Sequence, residues 1–122
     1  MSYFLLRQLP TGFKFDLKAP NGQTIATSEV YESQAACHKG ISSVRKNATA
    51  AKFEDQTTPD FVKVTHPKFV MYQDKAGEFR FRLKARNGEI VATSEGYTTK
   101  RACENGIESV RKNAPEAPIV EE

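Results

Sequence analysis

Gly40-Ile41-Ser42-Ser43-Val44-Arg45-Lys46-Asn47-Ala48 returns later in the chain as Gly106-Ile107-Glu108-Ser109-Val110-Arg111-Lys112-Asn113-Ala114, with one change. In the register that sets Gly40 on Gly106, residues 13–48 align with 79–114 without a gap, and 22 of the 36 positions are identical. One supersecondary unit is therefore used twice, and any fold must accommodate both copies. Each unit has about 48 residues, near the lower limit for a core that stands alone, so the two are predicted to share a sheet or a helix interface within one domain of 122 residues. On this pattern 1–48 form repeat 1, 49–68 a connector, 69–114 repeat 2 and 115–122 an expected disordered tail.

Tyr3-Phe4-Leu5-Leu6-Arg7 reads as a first strand, closed by a turn at Pro10 and Gly12. In Phe13-Lys14-Phe15-Asp16-Leu17-Lys18 apolar residues alternate with charged ones, the mark of a strand with one face on a core. Phe79-Arg80-Phe81-Arg82-Leu83-Lys84 keeps all three apolar residues. Asn21-Gly22 and Asn87-Gly88 predict type I′ hairpins that return the chain through 24–27 and 90–93. Past Ser28-Glu29 the period changes from 2 to 3.6, predicting a helix with Ser33 or Thr99 as N-cap and an apolar stripe of Ala36, Cys37, Gly40, Ile41 and Val44. Glycine inside a helix, at Gly40 and again at Gly106, predicts a close approach there. Asn47 is expected to end its helix in the left-handed conformation. The connector is too apolar for a free linker, and Asp60-Phe61-Val62-Lys63-Val64 is expected to form a short strand or to lie over the sheet edge. With two Pro and three Glu, 115–122 reads as disordered.

The expected architecture is α+β: two tandem β-β-β-α repeats with pseudo-twofold symmetry, an antiparallel sheet, and both helices packed on one face. Phe13-x-Phe15-x-Leu17-Lys18-Ala19, Thr27-Ser28-Glu29-x-Tyr31 and Gly40-Ile41-x-Ser43-Val44-Arg45-Lys46-Asn47, each present again in the second copy, resemble the YegP family of small uncharacterised proteins, in its duplicated, tandem-repeat form. The resemblance implies tandem β(3)-α motifs, which single-copy members assemble by pairing two chains, and it implies no activity. The connector is longer than the family pattern.

The formal charge is +3, about +3 on each repeat with an acidic tail. No basic leader or long apolar run opens the chain, so it reads as cytoplasmic. Cys37 and Cys103 occupy equivalent positions and read as buried thiols. His38 beside Cys37 is replaced by Glu104 in the second copy, and His66 stands apart, so no zinc spacing occurs. No phosphate-binding glycine loop, paired carboxylates or nucleophile–base constellation is present, and the reading is of a protein that is no enzyme and needs no cofactor. The leading class is an interaction or structural module, monomeric because duplication supplies the pairing within one chain, with an unknown protein partner. The alternative is sequence-nonspecific nucleic-acid or polyanion binding through Lys18, Arg45, Lys46, Lys84, Arg111 and Lys112. Arg45, Lys46, Arg111 and Lys112 also suit helix C-termini, where cations meet the negative end of the dipole.

Overall fold

The computed structural model describes residues 1–122. Its strands are β1 (Tyr3–Leu9), β2 (Gly12–Lys18), β3 (Thr24–Thr27), β4 (Lys52–Asp55), β5 (Lys68–Gln73), β6 (Phe79–Lys84), β7 (Ile90–Thr93) and β8 (Ile119–Glu121). Helix α1 (Gln34–Ala50) follows β3, helix α2 (Lys100–Asn113) follows β7, and a 3₁₀ turn (Ala114–Glu116) leads into β8. All eight strands form one sheet in the order β4-β5-β6-β7-β3-β2-β1-β8, joined at its centre by Thr27 opposite Thr93.

Register fixes the two faces. Leu17 pairs with Ala26 and Leu83 with Ala92, while Thr27 and Thr93 pair at the centre, so Leu17, Ala26, Ala92 and Leu83 point to one side. Both helices pack on that side. Phe4, Phe15, Leu17, Ile41, Val44, Phe69, Phe81, Leu83, Ile107 and Val110 belong to one continuous core. Matched ring contacts recur in it: Phe4–Phe15 and Phe69–Phe81 meet edge to face at 5.7 and 6.0 Å, and Phe15–Tyr31 and Phe81–Tyr97 stack at 6.3 and 6.4 Å. The glycine prediction is explained by the tyrosines: a Cβ on Gly40 would lie 2.3 Å from the Tyr31 hydroxyl oxygen, and one on Gly106 2.5 Å from that of Tyr97.

Ser33 and Thr99 cap the helices as expected, accepting from Ala36 N–H (3.0 Å) and Ala102 N–H (3.1 Å). Several expectations change. The sheet is mixed rather than antiparallel, because β4 runs parallel to β5 and β8 parallel to β1. Residues 115–122 are an ordered 3₁₀ turn and edge strand rather than a disordered tail: Ala117 is buried and Glu122 N–H bonds the Leu6 carbonyl. In the connector the strand is Lys52–Asp55 and not 60–64. The hairpins have positive φ only at Gly22 and Gly88. Gly22 N–H bonds the Ala19 carbonyl and Ala19 N–H the Gln23 carbonyl, a type I turn followed by a left-handed glycine, which Pro20 favours by fixing φ at its first central position. Asn47 likewise stays right-handed, and its side-chain amide donates to the Ser43 carbonyl (2.8 Å) while α1 runs on to Ala50.

Candidate functional site

The face opposite the helices carries the polar half of the alternation. One row across it reads Val120, Leu5, Asp16, Thr27, Thr93, Arg82, Val70, Glu54, each opposite the next. Arg7, Lys14 and Lys18 flank Asp16, and Arg80 and Lys84 flank Arg82. Arg7 pairs with Asp16 at 2.9 Å and Asp16 accepts from the Thr27 hydroxyl at 2.6 Å. Lys18 donates to the Thr24 hydroxyl at 2.8 Å. These groups, with Glu95 and Glu122, line a shallow depression of about 470 Å³. On the other half Arg82 lies over the Tyr72 ring at 4.2 Å, and Arg80 bonds Asp74 at 2.7 Å.

The connector covers the β4–β5 end of this face. Glu54 and Lys68 are buried there beneath the connector and form a 2.8 Å ion pair. Glu54 also accepts from Val64 N–H (2.9 Å) and Gln56 (2.6 Å), and Lys68 reaches the Val64 carbonyl (3.2 Å), so the pair fastens the connector to the sheet. Burial pushes the Glu54 carboxyl up, but the bonds from Lys68, Gln56 and Val64 outweigh it and hold its pKa at about 2.

The six candidate cations do not converge. Lys18 and Lys84 share the bare face, yet β2 and β6 run in opposite directions, so the two residues diverge from the central row and their Cα atoms lie about 20 Å apart by strand geometry. Arg45 and Arg111 belong to the helix layer and are engaged in the fold. Arg45 lies over Phe4 at 5.5 Å and donates to the Ala117 carbonyl; Arg111 lies over Phe69 at 5.2 Å and donates to the Ala51 carbonyl at 2.6 Å. Each arginine thus clasps the segment leading to the edge strand that follows the other helix. The signal in the sequence is that Ala51 and Ala117 stand in the same register as Gly40 and Gly106, so the repeat runs past Ala48. Lys46 and Lys112 are exposed on their helices.

Ser28 and Ser94 accept from Phe15 N–H (3.0 Å) and Phe81 N–H (2.8 Å) and donate to the next carbonyl. Both cysteines are free and buried, and burial pushes their thiols up to about 11 at Cys37 and about 12 at Cys103. A thiol that keeps its proton is no nucleophile near neutral pH. His38 approaches Glu121 at 3.6 Å on the surface. Sequence reasoning misses Arg7, Tyr72 and the Glu54–Lys68 pair, whose neighbours are set by strand order alone.

Fold and surface together define a two-layer α+β protein whose single mixed sheet carries two helices on one face and presents charged side chains on the other. The chain belongs to the family described as Domain of unknown function (DUF1508), whose model matches residues 11–55 and 74–121. It is 38% identical over 112 residues to the UPF0339 protein in ptx operon 5′ region of Stutzerimonas stutzeri, covering 89% of this chain and 85% of that one. A UPF0339 protein of Treponema denticola is 61% identical over 54 residues, 44% of this chain but 93% of its own length. Among solved structures, that of yegP from E. coli, a protein of unknown function, superposes with a TM-score of 0.80 at 33% identity, over 99% of this chain and 92% of that one. A UPF0339 protein from Shewanella oneidensis gives 0.79 at 31%, over 98% and 90%. The function of the family is unknown. No helix is long and apolar enough to cross a membrane.

Proposed function

We propose that the protein is a non-catalytic interaction module, a monomer whose two β-β-β-α repeats are related by an approximate twofold axis between β3 and β7, and that it works through the bare face of its sheet. An extended anionic chain is the ligand this face fits best. The observation that carries the reading is the set of six cations, Arg7, Lys14, Lys18, Arg80, Arg82 and Lys84, spread across β1, β2 and β6, of which Arg7 and Arg80 are matched by Asp16 and Asp74. Cations spaced over a sheet meet successive phosphates of a strand better than they meet one compact anion. The Arg82 guanidinium lies over the Tyr72 ring, so a base would stack on the guanidinium plane rather than on that face of the ring.

Fluorescence anisotropy with a mixed-sequence single-stranded oligonucleotide tests this, on samples shown by sedimentation to be one 13.6 kDa species. Log affinity should fall against log salt with a slope of about −2 to −3, and Lys18→Gln with Lys84→Gln should reduce that slope by about one without altering the melt. If neither DNA nor RNA binds at about 50 mM salt, where phosphate contacts are strongest, the polyanion reading fails and the face is left to a protein partner.

A further inference from the structure

The helix layer holds a second cationic feature, separate from the bare face. Between α1 and the β6–β7 turn lies a groove of about 330 Å³ lined by Lys39, Ser42, Ser43, Lys46, Asn47, Ala85, Arg86 and Asn87. Three side chains in it are cationic and none is acidic. Its walls are fixed by main-chain structure. Gly88 N–H bonds the Ala85 carbonyl at 2.8 Å, Ala85 N–H bonds the Glu89 carbonyl at 2.9 Å, and the Asn87 side chain accepts from Glu89 N–H at 3.0 Å, so Arg86 sits on an ordered turn. On the helix, Lys39, Ser42, Ser43 and Lys46 recur at three- and four-residue spacing on one face. The Asn47 amide donates to the Ser43 hydroxyl oxygen at 3.1 Å, which leaves the Ser43 hydroxyl proton free to donate into the groove.

The duplication supplies an internal control. At the equivalent positions of the other copy, Lys39 becomes Asn105, Ser42 becomes Glu108 and Arg86 becomes Pro20, whereas Lys46, Ser43 and Asn47 recur as Lys112, Ser109 and Asn113. The framework residues are common to both copies, and two of the three cations and the small hydroxyl that would receive an anion are confined to one. The single substitution in the duplicated nonapeptide, Ser42 against Glu108, falls inside this groove.

We propose that the α1/β6–β7 groove is a binding site for a compact phosphate-type anion, held by Lys39, Lys46 and Arg86 with hydroxyl donation from Ser42 and Ser43. Three cations lining one groove, with neutral donors among them and no carboxylate, suit a phosphate or pyrophosphate group, whose several oxygens accept at once. The site is independent of the bare face.

The experiment is an amide chemical-shift titration of the whole chain with inorganic pyrophosphate at low salt. Saturable shifts are expected at residues 39–47 and 85–88, with the corresponding amides around 105–113 and 19–22 unmoved. Lys39→Asn with Ser42→Glu, which writes the other copy's residues into this groove, should weaken binding by about tenfold or more, as expected for a lost charge-assisted contact and an added like charge. Lys18→Gln with Lys84→Gln should leave it unchanged. Equal shifts around both helices, shifts that do not saturate, or undiminished binding in Lys39→Asn/Ser42→Glu would overturn the site. The folded state of that variant is read from the same spectrum.

Discussion

The two ends of the sheet are built alike and finished differently. At one end β8 runs parallel to β1, and at the other β4 runs parallel to β5. β4 follows α1 and joins β5, β8 follows α2 and joins β1, and each approach is clasped by an arginine, Arg45 to the Ala117 carbonyl and Arg111 to that of Ala51. On the bare face the ends part company. Val120, opposite Leu5, is 45% exposed, whereas Glu54, its equivalent in the repeat, is 1% exposed and paired with Lys68. The cause is the connector, which leaves β4 and folds over the β4–β5 end. Shared residues thus set the pairing of both edges, and a segment laid over one edge decides whether polar groups there stay in water or are buried and matched.

The largest effect should come from breaking the match. Lys68→Met leaves the Glu54 carboxylate buried without its cation and should cost about 3–5 kcal/mol in urea unfolding. Adding Glu54→Val, the residue type of the other end, should recover much of that loss, because the penalty is chiefly the stranded charge. A double variant no better than the single one would show that the fastening of the connector matters more than the charge.

Smaller losses, about 1–3 kcal/mol, are expected for Arg45→Met and Arg111→Met, each of which removes a hydrogen bond from a charged donor and a cation–ring contact. Hydrogen exchange separates the two. In Arg45→Met the Glu122 amide, bonded to Leu6, should lose protection as β8 frays, whereas in Arg111→Met the Gln56 amide, bonded to Met71, should keep it because Glu54 and Lys68 still pin that end. Equal fraying would dissolve the distinction between the ends.

The smallest effect is that of mild acid, before the full shift of the Glu54 carboxyl is titrated. The Glu54 carboxyl titrates near 4.5 when the chain is unfolded and at about 2 when folded, so between these values the unfolded state binds the extra proton. The stabilisation is complete above pH 4.5 and is lost as pH falls toward 2, about 1 kcal/mol of it by pH 3.5. Glu54→Gln should flatten that limb of a midpoint-against-pH curve, and an unchanged limb would assign the acid sensitivity elsewhere.

Alternation in Phe13–Lys18 and Phe79–Lys84, the helical stripe, the caps at Ser33 and Thr99 and the close approach at Gly40 and Gly106 are legible in the sequence because each depends on neighbours within one unit. The tail is misread because composition weighs its Pro and Glu residues, while its order comes from a vacant edge on β1 and the reach of Arg45, both far away in sequence. The candidate site is half legible: alternation puts Lys18 and Lys84 on the outer face, but only strand order shows them diverging. Local periodicity therefore determined the elements and their buried sides. Tertiary structure decided which edges meet, which cations are held in the fold and where a charge could be buried, because those outcomes depend on groups that chain topology brings together from distant parts of the sequence.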